Sequence, residues 1–239
     1  MSTVELKRNI VRDYYYDEAI KTLRTNILFS GMNIKVILMT SSLPGEGKSD
    51  ISFALAESLT QIGKKVIYLD ADIRKSVLTV RYNVHGRING LSQYLSGQTA
   101  MEDIIYHTDT QDLDMVFAGP SSPVPTDLFE SSTFSEMIEM LRDAYDYIIV
   151  DTPPLGMVID GAVIAKNCDA AVIVVESGAV SYKAVQSVKN QLDVAGCRIL
   201  GVVLNKVDKA GKAYYGKYGK YGKFGHYKSV GSYGGTDVN

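Results

Sequence analysis

Six short apolar runs recur along the chain, and the stretches between them carry apolar residues at helical spacing. The runs are VILMTS (36–41), VIYLDA (66–71), LDMVFAG (113–119), YIIVDT (147–152), AAVIVVES (170–177) and ILGVVLNK (199–206). Their length and their content of β-branched residues predict buried strands. Segments 48–65 and 184–196 place apolar residues three and four positions apart, which predicts helices.

Alternating strands and helices are typical of an α/β fold, a mainly parallel sheet with helices on both faces. In such folds ligands bind beyond the carboxyl ends of the strands. We therefore expect the functional side chains to lie at those ends.

Size and composition narrow the class of protein. The chain has 239 residues, of which 46% are hydrophobic, enough for one domain of about residues 1–208 followed by a tail. The longest apolar run, AAVIVV at 170–175, is far shorter than the roughly 20 residues of a membrane-spanning helix. The N-terminus MSTVELKRN has no apolar centre of a signal peptide, so we expect a cytoplasmic protein. Cys168 and Cys197 lack metal-ligand spacing and are expected to be buried thiols.

The last 31 residues, 209–239, differ from the rest in charge and composition. They hold six lysines and one aspartate, which gives a formal charge of +5. Since the whole chain has a formal net charge of −2, the rest of the chain carries −7. Eight glycines and six tyrosines follow no helical or strand period, which predicts a disordered tail. Tail and body should attract each other, more weakly as salt is added.

The segment SSLPGEGKSD (41–50) matches the second half of the phosphate-binding loop GxxxxGK[ST], with Ser42 where the first glycine belongs. Such a loop turns backbone N–H groups toward phosphate oxygens at the positive end of a helix. A glycine-rich turn without a ligand is the alternative, and GEGKS between a strand and an amphipathic helix disfavours it. Asp50 stays unexplained, because a carboxylate there repels phosphate unless it points away. The predicted nucleotide-contacting residues of the loop are Ser42, Pro44, Gly45, Glu46, Gly47, Lys48, Ser49 and Asp50.

Three aspartates follow predicted strands. Asp70 and Asp72, in YLDADIRK (68–75), are two residues apart and share one side of an extended segment. Asp151, in IIVDTPP, occupies the magnesium-organising position of a Walker B motif. A single aspartate at a strand end is more often a turn residue or a helix cap. Three of them at adjacent strand ends, beside GKS, favour a metal and phosphoryl site.

Three other classes of protein compete with this interpretation. LNKVD (204–208) resembles the NKxD motif by which GTPases bind guanine, but DTPP places Pro154 where GTPases have the glycine of DxxG. Partition and septum-site ATPases have a lysine where this loop has Leu43. A tail rich in tyrosine and lysine could instead bind single-stranded nucleic acid or associate with itself. The acidic body argues against a nucleic-acid partner.

Taken together, the motifs resemble those of the bacterial tyrosine kinases of capsule and exopolysaccharide systems, in the free-standing cytoplasmic form of Gram-positive bacteria. The resemblance rests on SSLPGEGKS as Walker A, YLDADIRK as Walker A′, IIVDTPP as Walker B, and the terminal tyrosine cluster. It implies a P-loop NTPase fold, ATP and Mg²⁺, and autophosphorylation of the tail. The tail tyrosines are Tyr214, Tyr215, Tyr218, Tyr221, Tyr227 and Tyr233.

The same resemblance implies roles for the site residues. Lys48 and the loop amides would hold the phosphates, with Ser49, Asp151 and Asp72 organising magnesium. Asp70 would orient or deprotonate the tyrosine hydroxyl.

Two further residues have a less defined role. Arg74 could stabilise the transferring charge, with a surface role as the alternative. Asn205, at the end of the last predicted strand, is our candidate for contact with the adenine edge.

Segment 17–30, DEAIKTLRTNILFS, is similar to the oligomerisation motif E-x-x-R-x-x-R of that family, within a predicted helix of about residues 14–30. Glu18 and Arg24 match the motif, and Lys21 replaces its first arginine. These residues lie along one helix face, which could equally be a solvated charged face. The resemblance implies a ring-like homo-oligomer, although lysine binds less directionally than arginine.

The resemblance finally implies partners. A transmembrane activator, the polysaccharide co-polymerase, would recruit the chain to the inner face of the membrane, and a cognate tyrosine phosphatase would reverse its modification. No nucleic-acid partner is expected.

Overall fold

The computed structural model describes residues 2–6, 13–84, 86 and 88–207. The strands are β1 (Ser2–Val4), β2 (Val36–Ser41), β3 (Val66–Asp70), β4 (Ile105–Thr108), β5 (Leu113–Val116), β6 (Tyr147–Asp151), β7 (Ala170–Glu176) and β8 (Arg198–Asn205). The α-helices are α1 (Tyr14–Phe29), α2 (Lys48–Thr60), α3 (Leu78–Arg81), α4 (Leu91–Leu95), α5 (Pro125–Glu130), α6 (Ser132–Ala144), α7 (Asp160–Ala165) and α8 (Tyr182–Val194). The predicted tail, with its six tyrosines, lies outside the described residues.

The strands form one eight-stranded sheet in the order β1-β4-β5-β3-β6-β2-β7-β8. Every neighbouring pair is parallel except β4 and β5. Two apolar clusters cover the sheet, one packed by α1 and α2 and the other by α4 to α8. The predicted α/β class, with a mainly parallel sheet and helices on both faces, is confirmed.

The central strands are apolar on both sides because helices cover both faces of the sheet. All six residues of β2 are buried. Ile37 and Met39 face the cluster of α1 and α2, whereas Val36 and Leu38 face the opposite cluster. Strand β2 is therefore fixed in the middle of the sheet, and the loop that follows it begins from a rigid support.

Helix α2 is shorter than the predicted 48–65. It ends at Thr60, and Gly63 adopts a left-handed backbone with φ of 75°. The Gly63 N–H donates to the Thr60 carbonyl at 2.9 Å, and the Lys64 N–H donates to the Leu59 carbonyl at 3.3 Å. A glycine in this conformation commonly terminates a helix. The apolar period in the sequence therefore extends further along the chain than the helix itself.

The predicted strand 113–119 also ends early, at Val116. The carbonyls of Phe117 and Ala118 accept hydrogen bonds from the N–H groups of Leu91 and Ser92, at the start of α4, at 2.8 and 3.0 Å. The first N–H groups of α4 thus bind these two carbonyls, in place of the backbone of a neighbouring strand. Strands β1 and β4 were not predicted, since they are three and four residues long.

Two expectations on localisation and cysteines can be compared with the structure. Within residues 2–6, 13–84, 86 and 88–207, no helix has both the length and the apolar character needed to cross a membrane. Cys197 is buried and Cys168 is half-buried, and both are free thiols.

Candidate active site

The loop after β2 has a backbone that only glycine adopts without strain. Gly45 and Gly47 have φ of 83° and 85°. A Cβ on Gly47 would also lie 2.1 Å from Nδ2 of Asn205. Helix α2 begins at the next residue, Lys48, so its first N–H groups face the loop. The predicted strand–loop–helix arrangement of a phosphate-binding loop is therefore present.

Side chains from the end of the sheet brace this loop. The buried Glu46 carboxylate accepts hydrogen bonds from the N–H of Leu43 at 2.6 Å and of Glu176 at 3.1 Å. The Lys206 ammonium donates to the Gly45 carbonyl at 2.7 Å and pairs with the Glu176 carboxylate at 2.8 Å. The Glu46 side chain thus holds the loop in shape, and its charge is compensated by two backbone donors.

Asn205 reaches the same loop from the end of β8. Its Nδ2 donates to the Glu46 carbonyl at 2.9 Å. The amide therefore lies directly beside Gly47, and its contact with adenine stays a prediction.

Ser42 occupies the position of the missing first glycine. It is buried, and its Oγ has no hydrogen-bond partner within the described part of the chain. A Cβ on Gly156 would lie 2.1 Å from the Ser42 carbonyl oxygen, so the segment after β6 packs directly on the loop. Pro44, by contrast, is exposed at the tip of the loop.

Lys48 connects the loop to the end of β6. Its Nζ donates to Oδ1 of Asp151 at 2.6 Å and to Oγ of Ser49 at 3.3 Å. Ser52 Oγ, one turn further along α2, lies 3.3 Å from the same Asp151 oxygen. One cation therefore sits between the two oxygens predicted to bind magnesium, which shows that Ser49 and Asp151 converge on a single cation-sized position.

Asp70 is the neighbour of Asp151 in the sheet. The two residues are register partners of β3 and β6, and both are buried. Burial raises the pKa of Asp70 to about 7, the Ser76 hydroxyl that donates to it opposes this, and the charge of Asp151 raises the pKa further. A carboxyl group with a pKa near neutral is suited to take up a proton during a reaction.

Asp72 follows the strand and closes a turn. Its N–H donates to Oδ1 of Asp70 at 3.2 Å, and its own Oδ1 accepts from the Lys75 N–H at 3.0 Å. Asp72 is half-buried, whereas Asp70 is almost fully enclosed. The two aspartates are close together, but their surroundings differ.

Arg74 forms an ion pair within the protein. Its Nε and Nη2 lie 2.5 and 2.8 Å from the two oxygens of Asp160, the buried first residue of α7. Thr126 Oγ1 donates to the same carboxylate at 2.8 Å. The bidentate pair fixes the direction of the guanidinium group. Its contact with a transferring phosphoryl group stays a prediction.

Asp50, which the sequence left unexplained, points away from the loop. Its carboxylate pairs with Arg81 Nη1 at 2.7 Å, on the outer side of α2 and α3. This ion pair compensates the charge that would otherwise repel phosphate.

The predicted oligomerisation residues lie on α1. Glu18 and Lys21 form an exposed ion pair at 2.7 Å. Arg24 Nη1 donates to the carbonyl and the hydroxyl of Ser58, on α2, at 2.7 and 3.1 Å. Arg24 therefore attaches α1 to its own domain, while Glu18 and Lys21 face outward. Assembly through this helix stays a prediction.

Sequence reasoning missed five residues of the site. They are Ser52, Ser76, Asp160, Glu176 and Lys206. Lys206 belongs to the LNKVD segment, which was examined for guanine binding and not for support of the loop. Ser52 lies one helical turn after Lys48, a spacing that could have indicated it. Ser76 directly follows YLDADIRK and lies six residues from Asp70, whereas Asp160 and Glu176 contact the site from distant parts of the chain.

Comparison with known proteins places this geometry in a family. A family profile described as an AAA domain matches residues 34–198. Over 194 residues the chain is 44% identical to the tyrosine-protein kinase CpsD of Streptococcus agalactiae, covering 81% of this chain and 85% of the relative. The chain belongs to this tyrosine-protein kinase family. The resemblance inferred from the motifs is confirmed, and the kinase is favoured over the GTPase switch and the tail-binding module.

Solved structures agree. The kinase domain of the Escherichia coli tyrosine kinase ETK matches with a TM-score of 0.78 and 29% identity, over 92% of this chain and 80% of that one. The chimerical protein CapA2B2 matches with a TM-score of 0.78 and 30% identity, over 87% of this chain and 95% of that one. A P-loop in a member of a tyrosine-protein kinase family implies that ATP is the nucleotide.

Proposed function

We propose that the chain transfers the terminal phosphoryl group of ATP to the tyrosines of its own residues 209–239. The observation that carries this proposal is the position of Asp70. This buried carboxyl group lies beside Asp151, the carboxylate that pairs with Lys48, at the edge of the sheet where the phosphate-binding loop begins. A carboxyl group enclosed at this position could orient a tyrosine hydroxyl and accept its proton.

Magnesium fits the residues present. Among the described residues, no three His, Cys, Asp or Glu side chains form a metal cage. Mg²⁺ in phosphate sites commonly uses one or two protein oxygens and completes its shell with phosphate and water. Ser49 and Asp151, which already share one cation, would supply those oxygens, and Asp72 would add to the shell. The ion would neutralise charge on the phosphates.

The chain's own residues have separate tasks in the transfer. Lys48 leaves Asp151 and holds the phosphates, together with the loop amides. The tyrosine oxygen bonds to the terminal phosphorus while the bond from phosphorus to the bridging oxygen breaks, and ADP keeps that electron pair. The phenolic proton passes to the Asp70 carboxylate. A free phenol has a pKa of about 10, so the base is needed only as the proton becomes acidic in the transition state.

The flexible tail that the composition of residues 209–239 predicts would reach an active site in its own chain or in a neighbour. A flexible chain of this composition and length spans on average roughly 30 Å. The dependence of the rate on concentration separates the two cases, because only transfer between chains slows per molecule on dilution.

Phosphorylation would reverse the charge of the tail. Each phosphate adds about −1.5 to −2, so six would change +5 to about −4 to −7. Attraction to the acidic body then becomes repulsion, and we propose that this expels the tail and loosens the assembly. Native mass measurement tests the idea at constant salt. Equal association of modified and unmodified protein would disprove it.

A membrane partner belongs to the same proposal. One structural relative, CapA2B2, is a chimera, which joins parts of two proteins. We propose that a transmembrane activator recruits the chain to the inner face of the membrane, that a tyrosine phosphatase reverses the modification, and that the cycle regulates capsular or exopolysaccharide synthesis and export.

Labelled ATP and magnesium test the enzymatic proposal. Purified protein, with its activator, should acquire label on tyrosine, and a chain truncated after Asp208 should lose it. Excess unlabelled GTP should not compete. Competition by GTP would instead favour a GTPase switch.

A further inference from the structure

Tyr68, in the middle of β3, is a buried tyrosine whose hydroxyl group is not explained by packing. The side chain is fully buried, and its ring lies against that of Phe53, with the two centroids 5.6 Å apart. Within the described part of the chain, the hydroxyl has no hydrogen-bond partner. An unpaired buried hydroxyl destabilises a protein, so packing alone would favour phenylalanine at this position. The hydroxyl group therefore indicates a function beyond packing.

The register of the sheet places Tyr68 close to Asp151. Tyr68 and Asp70 are two residues apart in β3 and so share one face of the sheet. Asp151, at the end of β6, is the register partner of Asp70. Asp151 is therefore the diagonal neighbour of Tyr68 on that face, one strand across and two residues along. This separation is about 8 Å between Cα atoms, which is within reach of an aromatic side chain.

Electrostatic effects on the Tyr68 hydroxyl locate it near the same carboxylate. Burial raises the pKa of Tyr68 well above its ordinary value, and the neighbouring negative charges raise it further. Among these charges, that of Asp151 has the largest effect on the pKa, followed by that of Asp70. The hydroxyl therefore points toward the carboxyl end of the sheet, where both aspartates lie.

Asp151 has a cationic partner that the proposed reaction removes. Lys48 Nζ donates to Oδ1 of Asp151 at 2.6 Å, and Ser52 Oγ lies 3.3 Å from the same oxygen. When Lys48 leaves to hold the phosphates, the carboxylate loses its strongest donor. Carboxylates that bind metals are generally oriented by further hydrogen bonds from the protein. The Tyr68 hydroxyl is a donor at the right place to supply one.

We propose that Tyr68 is a positioning residue, whose hydroxyl donates to the Asp151 carboxylate once Lys48 has moved and so fixes the orientation in which Asp151 binds magnesium. The inference rests on the proposed function, in which Lys48 leaves Asp151. A tyrosine that only filled the core would affect stability equally whether or not Lys48 was present, and it would not affect magnesium.

Tyr68→Phe, in the full-length protein, tests the effect on magnesium. Magnesium is titrated at a fixed concentration of a fluorescent ADP analogue. The variant should need about tenfold more magnesium for half-maximal binding of the analogue, as expected when a hydrogen bond to a metal-binding carboxylate is lost. Without magnesium, in the presence of EDTA, the variant and the wild type should bind the analogue equally.

Tyr145→Phe is the matched control. The Tyr145 hydroxyl is also buried and donates to a carboxylate, Oδ2 of Asp114, at 2.6 Å. Tyr145 precedes β6 and Asp114 lies near the start of β5, so this pair is at the other end of the strands. The control should unfold at a lower urea concentration than the wild type, because it leaves a buried carboxylate oxygen without its donor. Its magnesium requirement should be unchanged.

Urea unfolding without nucleotide or magnesium gives a second readout, which does not depend on the reaction. In the wild-type background, Tyr68→Phe should unfold at the same or a higher urea concentration, because it removes an unpaired hydroxyl. In the Lys48→Met background, the hydroxyl should already donate to Asp151. The same change should therefore lower the urea midpoint there, and this reversal of sign measures the coupling between Tyr68 and Lys48.

The outcomes separate this inference from the proposed function. An unchanged magnesium requirement in Tyr68→Phe would overturn the inference, and so would an equal loss of affinity for the analogue with and without magnesium. The same shift in urea midpoint in both backgrounds would also overturn it. If the wild-type protein labelled no tyrosine, the proposed function would fail, whereas the unfolding measurements would still show whether Tyr68 binds Asp151 when Lys48 is absent.

Discussion

Replacing Lys48 by methionine should destabilise the nucleotide-free protein as well as stop the reaction. The Lys48 and Asp151 side chains are only 9% and 2% exposed, and their charged atoms are 2.6 Å apart. Removing the ammonium leaves the Asp151 carboxylate buried next to Asp70, with the Ser52 hydroxyl at 3.3 Å as a weak neutral donor. A carboxylate in that position has lost its compensating charge.

The magnitude follows from the burial of the pair. Breaking a buried ion pair by removing one partner costs about 3–5 kcal/mol. For a domain of this size, about 2–4 °C in Tm corresponds to each kcal/mol, so Lys48→Met should melt roughly 6–20 °C lower. Urea unfolding without nucleotide or magnesium measures the free energy directly.

A double-mutant cycle isolates the interaction. Asp151→Asn should lower the free energy of unfolding less than Lys48→Met does. The Lys48 side chain that remains is longer and more exposed than that of Asp151, and its ammonium still contacts Ser49. The double variant Lys48→Met/Asp151→Asn should be more stable than Lys48→Met alone, since no charge is left unpaired. The reasoning is refuted if Lys48→Met unfolds at the same urea concentration as the wild type. It is also refuted if the double variant is no more stable than Lys48→Met.

Three further predictions concern the loop and its surroundings. Glu46→Gln should weaken ATP binding by about tenfold, because the amide has a single acceptor oxygen and its NH2 group would face the other of the two backbone N–H donors that shape the loop. Nucleotide titration measures this, and unchanged affinity would contradict it. Arg81→Ala should lower the affinity for ATP about two- to fivefold at low salt, because the Asp50 charge is then no longer compensated and repels phosphate. The effect should vanish at high salt. An equal loss at both salt concentrations would disprove the electrostatic cause. The pKa of Asp70 is about 7 when folded and about 4 when unfolded, so the folded state binds more protons in between. Asp70 alone should therefore lower the stability of the nucleotide-free protein as pH rises from about 4 to about 7, and Asp70→Asn should exceed the wild type by up to about 4 kcal/mol at pH 8. A difference in unfolding free energy between Asp70→Asn and the wild type that is the same at pH 5 and pH 8 would contradict this.

The elements that could be predicted are those in which consecutive residues are apolar because the whole element is buried. Strands such as β2 and β7 are buried on both faces and are continuous apolar runs. The loop 41–50 could be predicted because its glycines and lysine are adjacent in the chain. Strand β4, with the sequence IYHT, is short and half polar, so its place in the sheet depends on its pairing with β5.

The partners of the site residues could not be predicted, because they depend on how distant segments meet. Arg74 and Asp160 are 86 residues apart, and Glu46 contacts the backbone of Glu176, 130 residues away. No local period indicates such pairs. Asp50 shows the same limit, since Arg81 explains its direction only when α3 is placed against α2.

The intact mass of the purified wild-type protein tests the central claim most directly. After incubation with ATP, magnesium and the activator, the account predicts a series of species, each heavier by one phosphate, with every modified peptide carrying phosphotyrosine from residues 209–239. Asp70→Asn, incubated in parallel, should keep its original mass. A wild-type chain that turns over ATP and still gains no phosphate on any tyrosine would contradict the account.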